Sequence, residues 1–568
     1  MTVTGRFTAD GPAAHDVTIA HDRALFRAAE ARAGQRHCVI EGRGDDPRAP
    51  LDPGKLLSHW SPGDLGRLGG DWAVALADLE RQVLVLALAP LSELELFYHV
   101  AADGTVIYST DLAALIRRVP AKFDLTMVAR AFAMQPFFDE QRSLYHGIWQ
   151  VQPGSLVTIT AGEAKVSRFW ELPPPASLRL GHAEAALKLR GLLEQAVQRR
   201  LSAIEGSAGT LLSAGRDSGA VTAVAARELA ARGQTLDAWT AAAEPDGADD
   251  GLHLLDEAPL AACTAAGFAN VRHHVLRPRP FDLCARLDDI HRRVRVPIAQ
   301  PLAVAWCEQL WDAASAAGNR LLLSGDFGNY ALSAGGLGWL EDVRAEEGVG
   351  RWLATIATLV VRDPRRWRSL GGALLGHGWR SRTPPGPRPL DGFVRGPFAV
   401  ALREATTATA PRLTYRKWLR RGVRISVNPN DVVTIGRELE QTDPTRDRGL
   451  VEFVHALPAA MLVGPDGRRD LFERAFGDLL PPAVLRPQRR GRQNVDWHLS
   501  YDPAQLAEAV RRYAEVPAVR EWVDCDALLG ALRDWPAERT LRGALYDRMV
   551  WGVLPAISLA SFLAVGKP

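Results

Sequence analysis

The sequence predicts an α/β protein with a β-rich first part, then a doubly wound parallel sheet, then helical additions. Three observations lead to this prediction. Short apolar runs separated by turn residues fill the chain up to residue 172, as in antiparallel hairpins. A Pro173-Pro174-Pro175 linker follows. Beyond it, strand and helix patterns alternate, which is typical of a parallel sheet covered by helices on both faces.

The predicted elements of the first part are strands, because their apolar runs are short and end at turn residues. They lie at 72–76, 83–88, 94–100, 105–109, 155–159 and 165–170. A charged turn at 78–81, then Asp103-Gly104 and later Gly162, separate successive runs. We therefore expect a first domain over residues 1–172.

After the linker, the apolar period changes to that of a helix at 183–201. The alternation that follows comprises strands at 210–212, 235–240, 270–275 and 320–323 and helices at 219–232, 258–266 and 302–317. The chain beyond these elements is predicted to be helical. We therefore expect a second domain over residues 176–568, with a helical insertion over roughly residues 340–425.

Composition and charge exclude several classes of protein. Of the 568 residues, 47% are apolar and 24% are charged, which excludes disorder as the main state. The net charge of +2 argues against electrostatic capture of nucleic acid. The five cysteines form no C-x-x-C pair, so neither a zinc ribbon nor a disulfide framework is indicated.

The two ends of the chain predict a cytoplasmic protein without a membrane span. The first residues, MTVTGRFTADG, lack the basic and apolar stretches of a secretory signal. The apolar stretch at 549–565 contains Pro555 and is short for a span, so we expect a buried terminal helix there.

A Ser- and Gly-rich run, Leu211-Leu212-Ser213-Ala214-Gly215-Arg216-Asp217-Ser218-Gly219, lies between a predicted strand and a predicted helix. In an open parallel sheet, ligands bind at the carboxyl ends of the strands. Ser213, Gly215 and Ser218 can direct N–H groups and hydroxyls at a phosphate, helped by the helix N-terminus. Asp217 would repel phosphate, so it is predicted to be a magnesium ligand. The alternative is an ordinary strand–helix turn with Asp or Ser as the N-cap.

This run resembles the S-G-G-x-D-S pyrophosphate loop of the ATP-pyrophosphatase superfamily, with Ala214 at the second position. A second run, Leu323-Ser324-Gly325-Asp326-Phe327-Gly328-Asn329-Tyr330, resembles the L-S-G-x-G-x-D-E loop of the asparagine synthetase family. The resemblance implies ATP and Mg²⁺ as cofactors. The implied nucleotide-binding residues are Leu211, Ser213, Ala214, Gly215, Arg216, Asp217, Ser218, Ser324 and Gly325.

The same resemblance bears on the metal ligands. The family's second metal-binding aspartate falls at Asn329, so ligands are expected among Asp217, Asp326 and Asn329. Turn chemistry is the alternative for Asp326 and Asn329. Asp256-Glu257 resembles an acidic pair near the nucleotide, although acids also start ordinary helices.

Two further blocks resemble this family. Residues 440–453 resemble its E-V-R-V-P-F-L-D-x-x-L-V-E-F segment. Residues 467–491 resemble its G-x-x-K-x-x-L…L-P…R-P-x-K-x-G run, with arginine at both lysine positions. The second of these arginines, Arg489, is implied to stabilise negative charge at the reacting centre.

The resemblance also suggests candidates for a general base. In β-lactam synthetases of this family, a tyrosine–glutamate pair prepares the attacking amine, and the tyrosine's place is taken by Asp326. Asp326 is therefore the expected base. Glu440 and Asp431 are weaker candidates.

The first domain resembles the family's glutamine-hydrolysing domain at residues 70–76, 147–154 and 168–170. This implies an N-terminal Ntn-hydrolase-like αββα sandwich followed by an ATP-pyrophosphatase-type synthetase domain. The chemistry does not match, because such glutaminases need a cysteine directly after the initiator methionine, where Thr2 stands. The family's R-D-x-x-G-x-R-P-L-Y run has lost its arginines at 88–97. We therefore expect an inactive scaffold.

Relatives with an inactive glutaminase domain include β-lactam synthetases and lasso-peptide cyclases. The chain is long for a β-lactam synthetase. The expected insertion carries Trp352, Trp367, Trp379 and Trp418 among arginines, and such side chains suit a surface that binds a peptide. A solvated insertion with core tryptophans is the alternative.

The expected function is therefore macrolactam formation in a lasso peptide. A side-chain carboxylate of the precursor (core) peptide is adenylated, and the N-terminal amine of the peptide then displaces AMP. The implied partners are that peptide, a leader peptidase and a leader-recognition protein. An ammonia-dependent asparagine synthetase, a small-ring synthetase and a non-catalytic peptide-binding relic remain alternatives.

Overall fold

The structure, a computed structural model, describes most of the chain. The described residues are 2–8, 15–20, 26–44, 51–58, 62–133, 141–245, 253–362, 389–407, 414–422, 430–465, 467–486, 489–491 and 495–566. Two tryptophans of the expected insertion, Trp367 and Trp379, lie outside these residues.

The first unit consists of two antiparallel sheets. Its strands are β1 (Thr2–Phe7), β2 (His15–Ala20), β3 (Arg27–Ala33), β4 (Arg36–Arg43), β5 (Asp71–Asp78), β6 (Val83–Leu88), β7 (Phe97–Val100), β8 (Val106–Ser109), β9 (Ile148–Gln150), β10 (Ser155–Thr160) and β11 (Glu163–Arg168). One sheet has the order β2-β1-β8-β7-β9 and the other the order β11-β10-β6-β5-β4-β3. All six predicted strands are present, whereas β1–β4 and β9 were not expected.

The two sheets pack face to face, and a helix covers the outer face of each. Ala75 shares a buried cluster with Tyr108 of the opposite sheet. Its neighbour Val74 points to the other face, where helix Pro53–Ser58 covers the six-stranded sheet. Helix Leu112–Ile116 covers the five-stranded sheet. The expected αββα sandwich is therefore confirmed. The remaining helices of this unit are Pro62–Leu65 and Leu125–Phe132.

The second unit is built on a parallel sheet. Its strands are β12 (Ser207–Leu211), β13 (Leu236–Ala241), β14 (His253–Leu254), β15 (Val271–Leu276), β16 (Asn319–Leu323), β17 (Glu440–Thr442) and β18 (Arg490–Gly491). Five of them form the sheet β15-β13-β12-β16-β17, and β14 pairs with β18. All pairs in the five-stranded sheet are parallel. The four predicted strands correspond to β12, β13, β15 and β16.

Helices cover both faces of this sheet. Ala238 and Trp239 are neighbours on β13, so their side chains point to opposite faces. Ala238 packs with Ala261 of helix Ala258–Ala265 on one face. Trp239 packs in the cluster that contains Leu310 of helix Val304–Ala316 on the other face. The expectation of a doubly covered sheet is confirmed.

The rest of the second unit is mainly helical, as the sequence predicts. Its helices are His182–Ser202, Arg216–Ala230, Ala258–Ala265, Leu283–Val294, Val304–Ala316, Leu340–Arg362, Gly396–Thr407, Tyr415–Gly422, Asn430–Val433, Arg448–Ala456, Ala459–Val463, Asp470–Phe476, Pro482–Leu485, Pro503–Tyr513, Pro517–Trp522, Cys525–Arg533, Gly543–Arg548 and Leu554–Val565. The helix Leu340–Arg362 breaks at Gly348, whose φ of 85° is in the left-handed region that favours glycine.

The apolar C-terminal stretch is a buried helix. Among the described residues, one helix, Gly543–Val565, is long and apolar enough to cross a membrane. However, 78% of its apolar window is buried inside the protein. Ile557 and Phe562, for example, are fully buried in a core cluster. This matches the predicted buried terminal helix.

Candidate active site

Two loops that resemble ATP-binding motifs lie side by side at one edge of the parallel sheet. We name residues 211–218 the serine loop and residues 324–330 the aspartate loop. The serine loop follows β12, and the aspartate loop follows β16. Because β12 and β16 are adjacent and parallel, their carboxyl ends meet at the same edge. This edge is where open α/β sheets bind their ligands.

Two serine hydroxyls close the serine loop. The Oγ atoms of Ser213 and Ser218 are 2.9 Å apart, and the Ser213 N–H donates to Ser218 Oγ at 3.2 Å. The Gly215 N–H donates to Ser213 Oγ at 3.1 Å. Helix Arg216–Ala230 begins directly after Gly215, and no side chain caps its N-terminus. The loop therefore presents the positive end of a helix at the sheet edge, as an anion site requires.

A carboxylate contacts this loop at Ala214. The Ala214 N–H donates to Glu257 Oε2 at 3.0 Å. Glu257 is buried and lies against Gly491, where an added Cβ would come within 2.1 Å of Glu257 Oε1. The neighbouring Asp256 pairs with Arg277 at 2.9 Å. Of the acidic pair, Glu257 therefore contacts the serine loop, whereas Asp256 pairs with Arg277.

Two glycines allow the loops to interlock. A Cβ added at Gly325 would lie 2.8 Å from the Ser218 backbone nitrogen. A Cβ added at Gly328 would lie 2.3 Å from the carboxyl carbon of Asp217. Real Cβ atoms do not approach other heavy atoms so closely, so only glycine fits at both positions. The aspartate loop therefore packs directly on the Asp217 carboxylate.

Asp217 belongs to a network that joins the two loops. Its Oδ2 accepts a hydrogen bond from Ser333 Oγ at 2.8 Å. Arg469 donates to Ser333 Oγ at 2.5 Å and to Asn329 Oδ1 at 3.3 Å. Burial raises the pKa of Asp217, and the charge of Arg469 offsets part of that rise. One arginine thus links the two predicted metal ligands Asp217 and Asn329.

The second oxygen of Asp217 has the character of a cation ligand. Oδ1 is buried and has no hydrogen-bond partner among the described residues. In that part of the chain, no cluster of three or more His, Cys, Asp or Glu side chains could hold a metal ion. Mg²⁺ commonly takes one or two carboxylates and completes its shell with water and phosphate oxygens. The residues present therefore fit a magnesium ion that arrives with a nucleotide.

Asp326 lies at the start of the 3₁₀ turn Asp326–Tyr330, and part of its side chain reaches solvent. Loss of solvation raises its pKa, and a hydrogen bond with Ser324 partly offsets the rise. On the buried side, Asp443 Oδ2 accepts the Phe327 N–H at 2.6 Å. Burial and the charge of Asp326 raise the pKa of Asp443 to about 7. Two carboxylates therefore flank Phe327, and the charge of Asp326 disfavours ionisation of Asp443.

The structure places Glu440 apart from Asp326. Glu440 is buried on β17, two residues before Thr442, so both side chains point to the same face of that strand. Thr442 contacts Arg43 of the first unit on this face. Glu440 therefore lies toward the first unit.

Three other predicted residues occupy different surroundings. Asp431 lies in the short helix Asn430–Val433, next to β17. Arg489 is exposed. The Nε of Arg216 donates to the Leu485 carbonyl at 2.8 Å, which ties this side chain to a neighbouring helix.

Sequence reasoning missed Ser333 and Asp443 and gave Arg469 no role beyond its place in a motif. Asp443 offered a signal, because it stands at an apolar position of the family segment that residues 440–453 resemble. A charge at such a position indicates a polar partner in the fold. Ser333 and Arg469 gave no comparable signal, since only the fold brings them to Asp217.

The first unit offers no cysteine nucleophile among its described residues. Thr2 begins β1 and pairs with Ala20 of β2. Cys38 is fully buried on β4, and burial raises the pKa of its thiol to about 12. A thiol with so high a pKa stays protonated at neutral pH and is inert.

Comparison with known proteins agrees with this arrangement. Residues 188–564 match the family model described as asparagine synthase, and residues 55–170 match a glutamine amidotransferase domain. The chain is 20% identical over 442 residues to asparagine synthetase [glutamine-hydrolyzing] 3 of Bacillus subtilis (strain 168). That match covers 75% of this chain and 67% of the relative.

Two solved structures show weaker similarity. One is a glutamine phosphoribosylpyrophosphate amidotransferase from B. subtilis complexed with ADP and GMP, at 10% identity and a TM-score of 0.19. The match covers 49% of this chain and 76% of the amidotransferase chain. The other is described as the allosteric regulatory enzyme of purine biosynthesis, at 11% identity and a TM-score of 0.19. It matches 45% of this chain and 64% of its own.

Proposed function

The chain belongs to the asparagine synthase family, and we propose that it is an ATP-dependent, AMP-forming ligase that closes a macrolactam in a lasso peptide. One contrast between the two units carries the proposal. The first keeps the sandwich but has Thr2 where a glutaminase needs cysteine, and the second keeps both loops at the sheet edge. Such a ligase takes its amine from the substrate and not from glutamine.

The first half-reaction activates a carboxyl group. A side-chain carboxylate of the peptide, from Asp or Glu, attacks the α-phosphate of ATP. The bond between the α- and β-phosphates breaks, pyrophosphate leaves, and an acyl-adenylate forms. Activation is necessary because a carboxylate cannot expel oxide at neutral pH.

The serine loop would hold the phosphates in this step. The start of helix Arg216–Ala230 and the hydroxyls of Ser213 and Ser218 would form the anion cradle. Asp217 would bind Mg²⁺ through Oδ1, and the ion would neutralise charge on the phosphates when it is bound. Arg469 supplies a fixed cation close by.

The second half-reaction makes the amide. The N-terminal amine of the peptide attacks the acyl carbon, AMP leaves, and the ring closes. The amine must lose a proton, and Asp326 is our candidate to accept it, because its pKa is raised and its side chain reaches the open side of the loop. Arg489 would stabilise negative charge at the acyl group. Glu440 is the weaker candidate for the base, because it lies toward the first unit.

The helical additions carry exposed apolar side chains. On helix Leu340–Arg362, the apolar side chains Val349, Leu353 and Val361 are 58%, 55% and 80% exposed. Apolar side chains clustered on a surface are typical of an interaction site. We propose that a precursor peptide binds near this helix, after a leader peptidase and a leader-recognition protein of the same cytoplasmic pathway have acted.

The proposal is tested by incubating purified protein and magnesium–ATP with one of three substrates: a candidate core peptide, aspartate with ammonia, or the precursor of a small cyclic amide. We expect a candidate core peptide to yield AMP and a product lighter by one water. AMP with aspartate and ammonia as the reacting pair would instead support an asparagine synthetase, and AMP with a small cyclic amide would support a small-ring synthetase. Absence of nucleotide turnover with every acceptor would support a peptide-binding relic.

A further inference from the structure

We propose that Glu93, in the inactive first unit, is a positioning residue for the aspartate loop of the second unit. The inference rests on the proposed function for its catalytic consequence, whereas its structural part stands on contacts alone. Glu93 lies in the run 88–97 whose family arginines are absent, so no glutaminase role explains it.

Glu93 is buried, 3% exposed, and both of its oxygens reach the second unit. Oε1 accepts the Asp443 N–H at 2.7 Å, and Oε2 accepts the Thr442 hydroxyl at 2.6 Å. Arg43 of the first unit donates to Oε2 at 2.6 Å and to Thr442 Oγ1 at 3.1 Å. Oε1 therefore has a neutral donor, and Oε2 has one charged and one neutral donor, which is an arrangement that stabilises a buried charge.

The first unit also holds Glu93 in place. The Glu93 N–H donates to Asp71 Oδ2 at 2.8 Å, and the Ser92 hydroxyl donates to Asp71 Oδ1 at 2.5 Å. Asp71 is itself buried. The acceptor that faces the second unit is therefore fixed by the sandwich and is not a mobile surface side chain.

Asp443 connects Glu93 to the aspartate loop through hydrogen bonds. Its N–H binds Glu93, while its Oδ2 accepts the Phe327 N–H at 2.6 Å. Its Oδ1 accepts the N–H and hydroxyl of Thr445 at 2.8 and 2.6 Å. The Phe327 N–H belongs to the residue that follows Asp326. One buried chain of hydrogen bonds thus runs from Glu93 to the turn that carries Asp326.

A second contact from the same segment reaches the same turn. Arg446 donates to the Leu91 carbonyl at 2.8 Å, and its guanidinium lies 5.0 Å from the ring centre of Phe327. A guanidinium at this distance from a ring attracts it electrostatically. Leu91 and Glu93 therefore support Phe327 from two directions, which gives the inactive unit a role in shaping the synthetase site.

Hydrogen–deuterium exchange of the full-length protein tests the structural part without any substrate. In Glu93→Ala, amides of residues 324–330 should exchange about 10-fold faster, because Asp443 loses its anchor. The matched control is Glu95→Ala, since Glu95 bonds to Gln150 within the first unit at 3.2 Å. That control should leave exchange at 324–330 unchanged.

A second variant keeps the test decisive if Glu93→Ala does not fold. Glu93→Gln is isosteric, but its single carbonyl oxygen cannot serve both sides. Its NH₂ group must face either the Asp443 N–H or the Arg43 and Thr442 donors, so the link to Asp443 is weakened. It should still speed exchange at 324–330. Wild-type exchange there in a folded Glu93→Gln protein, or an equal change in Glu95→Ala, would overturn the proposal.

Turnover with a core peptide then tests the catalytic consequence. We expect Glu93→Gln to form AMP within about 3-fold of wild type and to yield about 10-fold less ring product per AMP. Equal loss of both products would contradict positioning of the acyl-transfer step. Failure of the wild type to close a ring would count against the proposed function alone, since the exchange result is independent of it.

Discussion

At the scale of single residues, Asp217 holds a charge in surroundings that only partly compensate it. Ser333 donates to one oxygen, and the other has no donor among the described residues. Burial raises the pKa of the carboxyl group, which means that the ionised form is more costly in the folded protein than in water. A bound cation would remove that cost, so the residue suits magnesium better than a purely structural role.

We predict that Asp217→Asn loses AMP formation by about 100-fold or more, because the cation ligand loses its charge. The thermal midpoint should stay the same or rise, since burial disfavours the ionised carboxylate and the amide carries no charge. The matched control is Asp478→Asn, whose side chain is 59% exposed and pairs with Arg190. Calorimetry and AMP assays check both variants. Wild-type AMP formation by Asp217→Asn would contradict this assignment.

Asn329 allows a gain-of-function prediction. Its Oδ1 accepts from Arg469, which also reaches Ser333 beside Asp217. In Asn329→Asp we expect activity to be kept and the Mg²⁺ concentration for half-maximal rate to fall about 3-fold, because a second carboxylate joins the site. The control Asn329→Ala should not lower that concentration. If Asn329→Asp instead loses activity at low Mg²⁺, Asp326 is the ligand and the added acid crowds it.

At the scale of elements, the predictions succeeded where a strand is continuously apolar. Val83–Leu88 is a run of this kind, and Asn319–Leu323 ends in three buried leucines. Thr2–Phe7 was missed because it alternates polar and apolar residues and lacks the continuous apolar run used for the other strands; it pairs with β2 and β8. Glu440–Thr442 is polar yet buried, since Thr442 contacts charged groups of the first unit and Gln441 accepts from the Trp311 indole. Local patterns carry no information about such distant partners.

Only some parts of the site were predictable from the sequence. The serine and aspartate loops follow apolar strands and carry glycine and serine, so their positions could be read from the sequence. The link from Asp217 through Ser333 to Arg469 joins residues far apart in the chain. The same is true of Glu93 and Asp443. Tertiary packing alone brings these groups together.

The interlocked loops give a prediction at this scale. Gly328→Ala should push the aspartate loop away from Asp217, destabilise the protein by about 1–3 kcal/mol and reduce AMP formation by about 10-fold or more. The control is Gly350→Ala, because nothing lies within 4 Å of a Cβ built at that helical position. It should be neutral or slightly stabilising. Denaturant melts and AMP assays measure both, and a neutral Gly328→Ala would show that the loops do not interlock.

At the scale of the whole molecule, the two units share a buried boundary. The Trp170 indole N–H donates to Glu452 Oε1 at 2.6 Å, and Arg448 donates to the Gly66 carbonyl at 3.0 Å. The first unit therefore remains part of the folded protein even though its cysteine chemistry is absent from the described residues. A domain retained for its contacts can keep its core while its catalytic groups change.

We predict that the protein does not hydrolyse glutamine. Thr2→Ala should leave AMP and ring formation within about 2-fold of wild type, because a strand residue away from the loops is not expected to act in ligation. Addition of glutamine should neither accelerate turnover nor release glutamate, and ammonium serves as a comparison for a free amine. Glutamate released in step with AMP would refute this prediction.

The most direct measurement of the central claim follows oxygen from the peptide to the nucleotide. A core peptide with ¹⁸O in its acidic side-chain carboxylate is turned over with magnesium–ATP, and the products are analysed by mass spectrometry. Attack of the carboxylate on the α-phosphate predicts one ¹⁸O in each AMP released with a ring product. Unlabelled AMP, or ADP with ¹⁸O in inorganic phosphate, would contradict the account.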